Sequence, residues 1–143
     1  MRRKTSLLAV LAASLLAPAA LAGNVYFADV PLCLRMAETG QVQCNGTLAG
    51  LEPPPINVQV IVPYHCPGGG ARPVPALAIG ESGPIDGADT RAFALTTPPA
   101  QCDGAQPATL ASQLSVQVLQ DGNVVLRRNV PLSGARPQPQ PQP

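Results

Sequence analysis

Five side chains offer the most chemistry: Cys33, Cys44, Cys66, Cys102 and His65, the one histidine of the 143 residues. A thiolate beside an imidazole could be a nucleophile with its base, or part of a zinc or copper ligand set. The spacing argues against both. No Cys-x-x-Cys pair occurs, and a copper-binding β-sandwich needs two histidines with its cysteine. His65 abuts Cys66, and neighbours on an extended chain point to opposite faces. An even number of cysteines in an exported chain reads instead as two disulfides. Four cysteines allow three connectivities. We expect Cys33–Cys44 and Cys66–Cys102, because both join nearby segments. A Ser-His-acid triad could draw only on His65, and no G-x-S-x-G elbow is present. The reading is of a chain with no catalytic residue, no cofactor and no metal.

Weaker motifs give no chemistry either. Glu81, Asp86 and Asp89 could offer oxygens to calcium, but their spacing matches no EF-hand, and we read residues 81–89 as a solvated turn. Gly68-Gly69-Gly70 lacks phosphate-loop spacing and reads as a connector. Asn45-Gly46-Thr47 is a glycosylation sequon only on a eukaryotic secretory route; in a bacterium it reads as a turn. Arg127 and Arg128 are expected to split between the two faces of a strand.

The elements that would carry these residues begin after a removable segment. Residues 1–22 have the three parts of a secretory signal: Met1-Arg2-Arg3-Lys4, an apolar stretch over 7–16, and Ala20-Leu21-Ala22 before Gly23. The stretch is shorter than the ~20 residues that span a bilayer, and no later stretch is long enough. We therefore expect export, to the periplasm or the medium, with no integral membrane segment after cleavage. The short signal and the Ala, Arg and Pro content point to a bacterial source. The formal charge is +1, from nine Lys+Arg against eight Asp+Glu. Three of those cations are Arg2, Arg3 and Lys4. Without them, six cations face eight acids, a charge near −2. That excludes a basic nucleic-acid binder.

Residues 23–134 read as one disulfide-stabilised β domain. Gly and Pro punctuate it densely, and the best helical candidate is a single turn over 108–113. The clearest strand is 56–64. Ile56, Val58, Val60, Val62 and Tyr64 share one face, opposite Asn57 and Gln59. Pro63 suggests a strand end or an edge. Further strands are expected over 24–30, 41–48, 74–79 and 91–97, the last with Phe93 and Leu95 facing inward. The last pair is a hairpin around Asp121-Gly122, in whose first strand Leu114, Val116 and Val118 alternate with the polar Ser115 and Gln117. A three-residue loop, Gln120-Asp121-Gly122, would place Val118 opposite Val124 and Val116 opposite Leu126, with Gly122 left-handed. About seven short strands predict an all-β immunoglobulin-like or Greek-key sandwich. Residues 135–143 form a Pro/Gln-rich tail that favours polyproline II and reads as a disordered end.

The function expected from this pattern is an exported, non-catalytic binding or accessory module of the bacterial cell envelope. Its partner would be another envelope or extracellular protein, bound on loops or a sheet edge. The oligomeric state is not legible. One alternative is a fimbrial or surface-filament subunit, with residues 24–30 donating a strand. A further alternative is a secreted enzyme inhibitor presenting residues 66–72.

Overall fold

Alternating residues in the middle of the chain build the centre of the fold. Ile56, Val58, Val60 and Val62 are at most 1% exposed, while Asn57, Gln59 and Ile61 between them are half-buried. Period-two burial of this kind is what a strand with one buried face produces. The computed structural model describes residues 24–68 and 72–134. The signal segment, the Pro/Gln tail and part of the glycine run lie outside the described residues.

The described residues form nine strands: β1 Tyr26–Phe27, β2 Leu32–Arg35, β3 Val42–Leu51, β4 Ile56–Cys66, β5 Val74–Ile85, β6 Asp89–Thr96, β7 Thr109–Leu110, β8 Gln113–Gln120 and β9 Asn123–Gly134. The chain is all-β, with an open multi-strand sheet. In one half, β5, β4, β8 and β9 lie side by side, and β7 continues along β4. In the other half, β3 lies between β6 and the pair β1 and β2. β9 joins the halves. It runs antiparallel to β8 as far as Pro131, then parallel to β2 through Leu132, Ser133 and Gly134. Pro131, which has no N–H to give a ladder, sits at this hand-over.

Both halves feed one core. Cys33, Val42, Cys44, Leu48, Phe93 and Leu95 from one half cluster with Val58, Val60, Leu114, Val116 and Val118 from the other. Gly80 on β5 marks how closely the halves approach. A Cβ there would lie 2.9 Å from Thr97 Cα and 3.1 Å from Thr96 O.

Both expected bridges are present. Cys33 and Cys44 are paired across β2 and β3, with Cα atoms 4.1 Å apart and neither residue exposed. Cys66–Cys102 ties the end of β4 to the segment after β6, and both of its cysteines are only partly buried.

Five local expectations need correction. Residues 108–113 hold no helical turn: Thr109 and Leu110 pair with His65 and Tyr64 as β7, and a short turn stands instead at Asp103–Ala105, where Gly104 has a positive φ of 67°. Pro63 is neither at an edge nor at an end. β4 is central and runs on to Cys66; the Pro63 carbonyl accepts the Ala111 N–H at 2.9 Å, where the partner changes from β8 to β7. Residues 81–85 continue β5, which leaves only 86–88 as the turn. Asn45 stands mid-strand in β3 rather than in a turn. The hairpin loop has two residues, Asp121 and Gly122, both with positive φ (52° and 76°). Gln120 pairs with Asn123 and Leu119 with Val124. This is the arrangement in which the turn twist matches that of the strands. A bulge at Val125 then shifts the register, so that Val118 meets Leu126 and Gln117 meets Arg127.

Candidate functional site

The outer surface of β5, β4, β8 and β9 carries the polar face that the alternation of β4 and β8 implies. Register brings one residue from each strand into a row: Glu81, Gln59, Gln117 and Arg127. Their side chains are hydrogen-bonded end to end. Arg127 donates to Gln117 Oε1 through Nε at 3.3 Å and Nη2 at 3.0 Å. Gln117 Nε2 donates to Gln59 Oε1. Gln59 Nε2 donates to Glu81 Oε1 at 3.1 Å. Every donor points the same way, from the cation to the anion. Aligned hydrogen bonds polarise one another, so the charged ends fix the orientation of both amides. Gln117 is only 5% exposed, whereas Glu81 and Arg127 remain exposed.

Two bulges make this row possible. The first is the Val125 bulge described above. The second inserts an extra residue into β5, so that Asn57 pairs with Pro84 but Gln59 with Glu81. Ser82 and Gly83 occupy the irregularity. Ser82 Oγ accepts the Val58 N–H at 2.9 Å, and Asn57 Oδ1 accepts the Gly83 N–H at 3.1 Å. The backbone groups that a bulge releases are thus satisfied by side chains.

The paired positions on either side of the row carry no charge. One step along lie Ile79, Ile61, Ser115 and Asn129; one step the other way lie Pro84, Asn57, Leu119 and Val124. Leu77 (58% exposed), Ile79 (42%) and Val124 (45%) form its apolar margins. The hydrogen bonds of the row hold its side chains in one arrangement, so little side-chain freedom remains to be lost in a contact there.

The other residues singled out from sequence are scattered. His65 is exposed at the end of β4, opposite Pro75 and Thr109, beside a cysteine already in a bridge. Among the described residues no group of three or more His, Cys, Asp or Glu comes together. Glu81 joins the polar row, while Asp86 lies in the turn before β6 and Asp89 begins that strand. Arg127 and Arg128 do split: Arg127 joins the row, and Arg128 is opposite Val116 yet exposed. The described residues include two shallow depressions. One of about 350 Å³ lies beside the Asp121-Gly122 turn, and one of about 240 Å³ beside the Cys66–Cys102 bridge. Each is lined by one carboxylate and no histidine, which does not make an acid–base pair.

Sequence reading had Gln59 and Gln117 on a polar face but not the row. The missing signal was register, which neither strand encodes alone. A scan of family models finds none that matches this chain, and a search of curated proteins finds no match.

Proposed function

We propose that this chain is an exported, non-catalytic binding module of the bacterial cell envelope, acting in the periplasm or outside the cell. The observation that carries the proposal is the Glu81–Gln59–Gln117–Arg127 row with its apolar margins. It is an ordered, accessible surface on a rigid sheet, and the partner is another envelope or extracellular protein. Two disulfides are consistent with an oxidising environment, and with residues 1–22 acting as a cleaved signal. The strand neighbours support a Greek-key, immunoglobulin-like sandwich as its architecture: β9-β8-β4-β5 in one half, β2-β3-β6 in the other, over a common core.

A filament subunit is less well supported. Donation of residues 24–30 to a neighbour would require Tyr26 and Phe27 to leave Ala49 and Leu48 of their own sheet.

The test is capture from envelope extract on the immobilised mature chain, alongside a Leu77→Asp/Ile79→Asp variant of confirmed fold. A protein retained by the wild type and lost by the variant supports the proposal. Retention of nothing by the wild type, or equal retention by both, overturns it.

A further inference from the structure

The polar row is a dipole. Glu81 stands at one end and Arg127 at the other, three strand spacings apart, or about 14 Å. Between and beside them, the neighbouring positions on this face are uncharged. Each end also keeps unused capacity: among the described residues Glu81 Oε2 and Arg127 Nη1 have no hydrogen-bond partner. A surface with a single dipole is complementary to itself when a copy is turned about a two-fold axis parallel to the strands. That operation lays β5 of one copy over β9 of the other and β4 over β8. An axis across the strands would instead set Glu81 against Glu81, and like charges in contact oppose association.

We propose that this face docks on a second copy of the same chain, with Glu81 of each copy opposite Arg127 of the other. The proposal rests on reading the face as a binding surface; the second copy covers that face until the other envelope or extracellular protein displaces it. Facing sheets pack about 10 Å apart, within reach of a glutamate and an arginine extending toward each other. The same rotation sets Gln59 over Gln117, Ile61 over Ser115 and Ile79 over Asn129, so no like charges meet. The low net charge of the mature chain leaves little long-range repulsion to overcome. The contact is isologous, and it closes at two copies.

Charge exchange tests it. The purified mature chain is followed by analytical ultracentrifugation from about 1 to about 100 µM, the range over which a micromolar dimer dissociates. The wild type is expected to dimerise. Glu81→Arg and Arg127→Glu, each alone, are expected to weaken the dimer by about tenfold or more. Mixed in equal amounts, the two variants are expected to form a heterodimer close to wild-type strength, since one contact is then the native Glu81–Arg127 pair and the other is the same pair with its signs exchanged. Should a reversal fail to fold, Glu81→Gln and Arg127→Gln replace it, and weakening in each is expected. A wild type that stays monomeric overturns the proposal, as does a dimer indifferent to both reversals or a mixture that recovers nothing. A monomer that still captures a partner through Leu77 and Ile79 would overturn this proposal alone and leave the binding function standing.

Discussion

Thr97 and Val42, 55 residues apart in sequence, hold each other by two hydrogen bonds. The Thr97 N–H donates to the Val42 carbonyl at 2.8 Å, and the Val42 N–H donates to Thr97 Oγ1 at 3.0 Å. Both residues are 1% exposed. The threonine hydroxyl therefore does the work of a backbone carbonyl just where β6 ends.

Replacing Thr97 tests that arrangement. Thr97→Val keeps the shape but leaves the buried Val42 N–H without an acceptor, at a cost of about 1–3 kcal/mol. Thr97→Ser retains the oxygen and loses one methyl, at about 0.8 kcal/mol. Urea midpoints should rank wild type, then Ser, then Val; a Val variant as stable as Ser would refute the role of the hydroxyl.

Gly80 is needed for space. Its prospective Cβ meets backbone atoms of Thr96 and Thr97 at 3.1 and 2.9 Å, and backbone cannot step aside as a flexible side chain can. Gly80→Ala should cost about 1–3 kcal/mol by overpacking. Thermal unfolding checks this, and an unchanged or raised midpoint would show that the halves have room to part.

The two bridges should differ in access. Cys33 and Cys44 are fully buried, whereas Cys66 and Cys102 lie at a surface depression. Thiol–disulfide exchange requires the attacking thiolate to reach a sulfur. Mild reduction of the folded chain, followed by alkylation and peptide mass spectrometry, should label Cys66 and Cys102 first. Labelling of Cys33 and Cys44 should await unfolding. In the chain-entropy account the two loops, with separations of 36 and 11 residues, contribute roughly 4 and 3 kcal/mol.

The polar row should behave as a coupled unit. Gln117→Leu strands the Gln59 carbonyl and frees Arg127, for a loss of about 1–2 kcal/mol. The double variant Gln59→Leu/Gln117→Leu should cost less than the two single losses added together, since neither amide is then left half-satisfied. Strict additivity in a denaturation cycle would show that the row has no cooperative energy.

Much of the fold was legible because it depends on local rules. Alternation in residues 56–64 identified β4 and the facing of each of its side chains. Phe93 and Leu95 were expected inside and are 4% and 6% exposed. The cysteine pairing preferred for the nearness of its segments is the one present, but among three connectivities only the structure made the choice. β2 was missed, because Leu32-Cys33-Leu34-Arg35 is too short to establish a period, and both leucines stay exposed beside a buried cysteine. β3 lies beside it in the sheet, the neighbour that the expected Cys33–Cys44 bridge implied.

The candidate site depended on register, which local rules leave open. Alternation placed Gln59 and Gln117 on one face, and it would have done so under several alignments of neighbouring strands. A two-residue turn without a bulge would have set Leu126 opposite Gln117, and the three-residue loop would have set Val125 there. The bulge at Val125 instead brings Arg127 to Gln117, and the bulge at Ser82 and Gly83 brings Glu81 to Gln59. A single-residue shift in either strand exchanges the faces of all that follows. The amino-acid sequence by itself determined which residues are polar and that Gln59, Gln117 and Arg127 lie on strands, whereas Glu81 was read as part of a turn. Only the packed sheet, in which each register must bury the apolar face of its neighbour, decided that two charges and two amides form one row.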